Sequence, residues 1–160
     1  MMNVTILAVG KLKEGYWREA CGEYAKRLSA FCRFTVVELP EYRLPDSPSP
    51  AQIQIGLEKE GQAILSRIPA GALAVALCIE GKELDSQALS RRIQQAPMEG
   101  KSDIVFIIGG SFGLWEQVKV RAELRLSMSP MTFPHQLARV MLCEQIYRAF
   151  SIAANTRYHK

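Results

Sequence analysis

The 160-residue chain lacks the features that announce several large classes of protein. No apolar run reaches the ~18 residues that span a bilayer. The opening "MMNVTILAVG" has no basic leader and no small-residue cleavage site, so neither a membrane partner nor a secretory signal is expected. The four cysteines (Cys21, Cys32, Cys78 and Cys143) form no CxxC pair and lie within apolar stretches. That argues against a zinc site or a disulfide framework and for reduced, buried thiols in a cytoplasmic protein. GxGxxG and GxxxxGK[ST] are both missing, which removes the dinucleotide and P-loop fingerprints. Internal repeats and low-complexity tracts are absent as well.

What is present is globular: 48% of residues are hydrophobic and 22% charged, enough apolar mass for one domain over residues 1–160. A net charge of +4 permits a nucleic-acid partner without requiring one. Short apolar runs at 3–10, 33–40, 72–79 and 103–110, with a shorter one at 124–129, alternate with helical patterns near 14–32, 51–67, 85–96, 114–122 and 134–153. Runs apolar on both faces suit strands covered by helices, so the pattern predicts an α/β domain: a mainly parallel sheet with helices on both faces. The stretch 39–52, "LPEYRLPDSPSPAQ", holds four prolines and reads as a surface loop.

In such sheets ligands sit beyond the carboxyl ends of the strands. Two strands end there in glycine, "IEGK" at 79–82 and "IIGGSFG" at 107–113. Either a ligand approaches the bare backbone, or the glycines only permit tight turns. The loop "MSPMTF" at 128–133 is apolar and could hold a flat heterocycle, its backbone reading the polar edge, or could be a plain core linker.

The closing helix is apolar almost all round. At about 100° per residue, Leu142, Ile146, Ala149 and Ala153 form one face. Leu137, Met141 and Ile152 flank it on one side, and Val140, Cys143, Tyr147 and Phe150 on the other. Such a helix must be covered on more than one side. The sheet covers one side. Another helix of the chain or a second copy covers the other, and a homodimer through this helix is expected. Arg139 points into the apolar half and needs an acceptor, either a structural carboxylate or a substrate phosphate or carbonyl. His135 follows Pro134 in the first turn, as a surface residue or as a neutral imidazole able to accept a proton. Arg157, Tyr158, His159 and Lys160 place cationic and stacking groups on a terminal arm, the means by which looped RNA is bound, unless the arm is inert.

Several segments together carry a family resemblance: "ILAVGKLKEGYW", "KEGQAIL", "IIGGSFGL", "MTFPHQLARV", "EQIYRAF" and the terminal "YHK". In order and spacing, end to end, the chain resembles the ribosomal large-subunit methyltransferase H family of the SPOUT superfamily. The resemblance implies transfer of a methyl group from S-adenosylmethionine to N3 of a pseudouridine, position 1915 of 23S rRNA, within the assembled ribosome. It also implies a C-terminal trefoil knot and a homodimer. Carried over by position, the cofactor would meet Leu77, Gly109, Met128, Ser129, Pro130, Met131, Thr132 and Phe133. His135, Arg139, Tyr158 and His159 would face the substrate, the tail coming from the partner subunit. The chain departs from the family pattern at Cys78, where an acidic residue is familiar, and at Phe112 and Pro130.

The implied chemistry is an in-line displacement on a sulfonium methyl, which needs alignment and dryness more than a metal. The N3 proton must leave, with His135 or His159 assisting and Arg139 and Lys160 offsetting negative charge. Two other classes of function compete: a non-catalytic RNA-binding or ribosome-assembly factor, which would bind RNA but no S-adenosylmethionine, and an open-sheet nucleotide or flavin binder, whose glycine signature is incomplete here.

Overall fold

A computed structural model describes all 160 residues as five strands and five helices in strict alternation. β1 (Asn3–Val9), α1 (Gly15–Leu28), β2 (Arg33–Leu39) and α2 (Pro50–Ser66) come first. β3 (Leu73–Glu83), α3 (Ser86–Met98), β4 (Asp103–Ile108), α4 (Glu116–Arg121), β5 (Leu124–Ser127) and α5 (His135–Ala153) follow. All four strand pairings are parallel, in the order β2-β1-β4-β3-β5.

The strand sequences dictate the layering. Successive side chains point to opposite faces, so β1 sends Val4, Ile6 and Ala8 one way and Leu7 and Val9 the other. β4 repeats this with Ile104, Phe106 and Ile108 against Val105 and Ile107. The first set packs with α1, α3 and α5 through Cys21, Leu28, Leu89, Ile93, Leu142 and Ile146. The second packs with α2 and α4 through Ile64 and Val118. Each fully buried Ile, Leu or Phe contributes about 1.5–3 kcal/mol, which makes these two layers the main stabilising term.

Local signals set the helix ends. Ser49 accepts from the Gln52 N–H while Gln52 reaches back to the Ser49 N–H, and Pro50 occupies the first turn of α2. The Asp85 carboxylate accepts from the Ala88 N–H at 2.7 Å and starts α3. Within the 39–52 stretch residues 40–49 form a loop, as the prolines predict, with Leu39 closing β2 and Pro50 opening α2. No helix is long and apolar enough to cross a membrane.

Two expectations need correction. β3 runs to Glu83 rather than stopping near residue 79, with a register shift between Leu77 and Lys82. Gly81 sits in that irregularity, and a Cβ there would meet the Arg125 carbonyl oxygen at 2.6 Å. The "IEGK" glycine therefore serves a close approach of two strands, not of a ligand.

The chain leaves β4 through α4 on one face and leaves β3 through α3 on the other. Connections that part in this way open a crevice between the two strands at their carboxyl ends.

Candidate functional site

That crevice is a cleft of about 440 Å³. β3 contributes Leu77, Cys78, Ile79 and Glu80, and the turn after β4 contributes Gly109 through Leu114. The loop after β5 adds Met128, Ser129, Met131, Thr132 and Phe133, and the first turn of α5 adds His135 and Ala138. The lining is largely hydrophobic, and Ile79, Phe112 and Met131 stand half or more exposed at its rim.

The glycine turn is built by its own packing. The Gly113 N–H donates to the Gly110 carbonyl at 3.0 Å, and Gly113 has φ +86°, a region that favours glycine. A Cβ on Gly109 would strike the Gly113 carbonyl. Tight turning thus requires glycine at 109, while the same residue still lines the cleft.

In the apolar loop the Ser129 hydroxyl accepts from the Met131 N–H at 3.0 Å, and the Ser127 hydroxyl donates to the Ser129 carbonyl at 3.2 Å. The backbone N–H groups of Thr132 and Phe133 take no partner from the chain. They remain available to the polar edge of a ligand. Glu80 is the one carboxylate in the lining. Its oxygen accepts from Lys119 Nζ at 2.5 Å, and that bond holds the carboxyl below its ordinary range. Burial pushes the Cys78 thiol up, so the group is a neutral wall rather than a nucleophile.

Eight of the residues singled out from sequence therefore meet in one cleft: Leu77, Gly109, Met128, Ser129, Met131, Thr132, Phe133 and His135. Pro130 lies in the loop without lining it. Arg139 is buried, its Nη1 bonded to Glu38 Oε2 at 2.5 Å and its Nη2 to the Gly10 carbonyl at 3.2 Å. Of the two acceptors foreseen for it, the structure contains the carboxylate. Tyr158 and His159 also lie elsewhere, folded onto the outer side of α5. The Tyr158 hydroxyl donates to Glu144 at 3.2 Å, and His159 Nδ1 lies 3.0 Å from Arg148. Glu144 is nine residues beyond His135, which separates this tail from the cleft by about 14 Å along the helix. The Tyr158 phenol is pushed up to about 12, first by desolvation, then by its bond to Tyr24.

Sequence reasoning did not place Ile79, Glu80 or Lys119 in the lining, whereas Phe112, noted as a departure from the family pattern, does line it. Glu80 and Lys119 lie 39 residues apart and meet only through the β3 irregularity, which leaves no local signal.

Helices α1 and α3 flank α5. Phe31 stacks on Phe150 at 6.0 Å, and Ser90 donates to the Ala149 carbonyl at 2.6 Å. Helices of the same chain thus account for much of the apolar girth, leaving Leu137, Met141 and Ile152 half-buried on the outer flank.

The structure is an open parallel sheet with an apolar cleft at its switch point, the place where α/β proteins of this architecture bind their ligands. Residues 2–159 match the family described as predicted SPOUT methyltransferases, and the chain belongs to that family. It is a methyltransferase, and SPOUT methyltransferases generally use S-adenosylmethionine. The fold is also similar to that of a solved structure, a probable methylase family protein from Haemophilus influenzae Rd KW20. The TM-score is 0.50 at 9% identity, covering 99% of this chain and 70% of the other.

Proposed function

We propose that the protein transfers the methyl group of S-adenosylmethionine to N3 of a pseudouridine in 23S rRNA (position 1915) within the assembled ribosome, acting in the cytoplasm. The observation that carries this reading is the single cleft uniting the glycine turn, the 128–133 loop and His135. The lining fits the cofactor. Leu77, Met128 and Phe133 offer apolar surface to an adenine ring, the free Thr132 and Phe133 N–H groups can donate to its edge, and Glu80 can accept from ribose hydroxyls where Cys78 cannot. When bound, the cofactor supplies an electrophilic methyl on a good leaving group. The chain aligns the nucleophile and excludes water.

His135 stands at the cleft mouth, where it can take the proton that N3 loses. Arg139 acts on this site through position, by fixing the first turns of α5 to Glu38 and Gly10. Tyr158 and His159, about 14 Å away along their own helix, reach a cleft as residues of a second copy packed on the outer flank of α5. The same reading includes the C-terminal knot.

The test is methyl transfer from labelled S-adenosylmethionine to ribosomes that lack this methyl group, mapped by mass spectrometry beside ribosomes lacking the pseudouridine. A single methyl on the pseudouridine supports the assignment. Tight ribosome binding with no transfer supports an assembly factor instead. His135→Ala should lower kcat by about 10²-fold or more. Full turnover at neutral pH in that variant would remove His135 from the proton transfer.

A further inference from the structure

On the proposed reading the cleft takes the cofactor and the target base, and residues 1–160 are built on one five-stranded sheet, so contacts to the flanking RNA must come from the surface around that cleft. The cations without a carboxylate partner include Lys11 and Lys13, on the segment between β1 and α1, and Arg18 in the first turn of α1, with Glu14 the one acid between Lys11 and Arg18. Lys11 and Lys13 are exposed. Arg18 is spent internally, donating to the carbonyls of Leu12 at 2.9 Å and Lys13 at 2.6 Å, and the Leu12 N–H donates to Glu38 at 3.2 Å. The loop is therefore braced with its two lysines turned outward.

Tyr16 stands beside them, 63% exposed, the most exposed aromatic of the chain. Trp17, packed against the core, supports it at 4.9 Å between ring centroids and 58° between planes. A ring held by its neighbour with surface left open is a stacking platform, and lysines beside it neutralise phosphate.

The position suits the reaction. β1 is separated from β3 only by β4, so the loop lies about 10 Å across the same sheet edge from the cleft. Within α5, Ala138 lines the cleft and the next residue, Arg139, holds the Gly10 carbonyl at the root of the loop. The opposite neighbourhood is unsuited to nucleic acid. A second cavity, of about 520 Å³, carries Glu41, Asp46 and Glu60 against one cation, Arg43.

We propose, resting on the RNA-methyltransferase reading, that the β1–α1 loop and the first turn of α1 form the platform for the RNA strand flanking the target, with a base stacked on Tyr16 and phosphates against Lys11 and Lys13. Tyr16→Ala should raise KM for 70S ribosomes about tenfold, while kcat at saturation and S-adenosylmethionine binding by calorimetry stay at wild-type values. Tyr16→Phe should restore KM, because stacking needs the ring and not the hydroxyl. Lys11→Ala and Lys13→Ala should each reduce the slope of log affinity against log salt by about 0.7–0.9. Ultraviolet crosslinking of the wild type on ribosomes should join the peptide containing Tyr16 to rRNA. Wild-type transfer with unchanged KM in Tyr16→Ala, or crosslinks from that peptide to a ribosomal protein, would overturn the platform alone. Absence of transfer by the wild type would instead strike the reading beneath it.

Discussion

Two cavities flank Phe112, and they have opposite characters. The cleft of about 440 Å³ beyond β3 and β4 is mostly apolar, with its one carboxylate, Glu80, bound by Lys119. The cavity of about 520 Å³ under the proline-rich loop is acidic. There Glu60 accepts from the Tyr42 N–H at 2.9 Å and Glu41 from the Ser111 hydroxyl at 3.0 Å. Burial, with Glu41 beside it, pushes the Glu60 carboxyl above its ordinary range. The two share Ser111 and Phe112, so one short turn separates a lining suited to a heterocycle from one that repels phosphate. Volume alone would choose the wrong one. Chemistry and the sheet's switch point choose the apolar cleft.

The comparison breaks most severely at Arg139. This residue fixes the α5 turn that closes the apolar cleft, and it touches nothing in the acidic cavity. Its guanidinium is 6% exposed and its partner Glu38 is 36% exposed. Arg139→Ala should therefore cost about 3 kcal/mol in a urea melt, below the upper range for wholly buried pairs. Methyl transfer should fall with it. Stability within 0.5 kcal/mol of wild type would show that the pair holds nothing in place.

Next comes the turn itself. Gly109→Ala puts a methyl group against the Gly113 carbonyl and should cost about 1–3 kcal/mol while weakening S-adenosylmethionine binding at least tenfold by calorimetry. Gly22→Ala, in α1 with open space around it, should raise stability by about 0.5–1 kcal/mol and leave binding alone. Equal effects of the two would show that space at the turn is not what matters.

How much of this could be read without coordinates differs between its parts. The parallel strands were legible because a strand covered on both faces is apolar on both, as in "DIVFII" of β4. The far half of β3 was not. Glu80, Lys82 and Glu83 look like a loop, and only pairing with Leu126 and Ser127 of β5 keeps them extended. In the cleft, Gly109, the 128–133 loop and His135 stood out, because each is a local departure from ordinary strand or helix sequence. Ile79, Glu80 and Lys119 did not, since they converge from elements distant in the chain. Arg139 shows the limit most clearly. Its apolar surroundings demanded a partner, but Glu38 lies 101 residues away and nothing in the sequence ties the two together.

Phe112 tests whether the shared wall belongs to one cavity or both. It is 50% exposed, so truncation removes only part of a full side-chain burial. Phe112→Ala should weaken S-adenosylmethionine binding about three- to tenfold by calorimetry, on the order of 1 kcal/mol. An unchanged affinity would assign the ring to the acidic side.

The smallest effect belongs to Glu60. A carboxyl raised in the folded state binds a proton at pH values where the unfolded chain has already released it. Its contribution to stability is therefore full below the ordinary carboxylate pKa and is lost as pH rises through the folded one. Glu60→Gln keeps an oxygen to accept from the Tyr42 N–H and removes the charge facing Glu41. At pH 7 the variant should melt at or slightly above the wild-type temperature, with a gain below about 1 kcal/mol. Its stability should also decline less between pH 4.5 and neutrality than that of the wild type. A lower melting temperature at pH 7 would mean that the charge itself is wanted in that cavity, and would make the acidic side a built cation site instead of a tolerated burial.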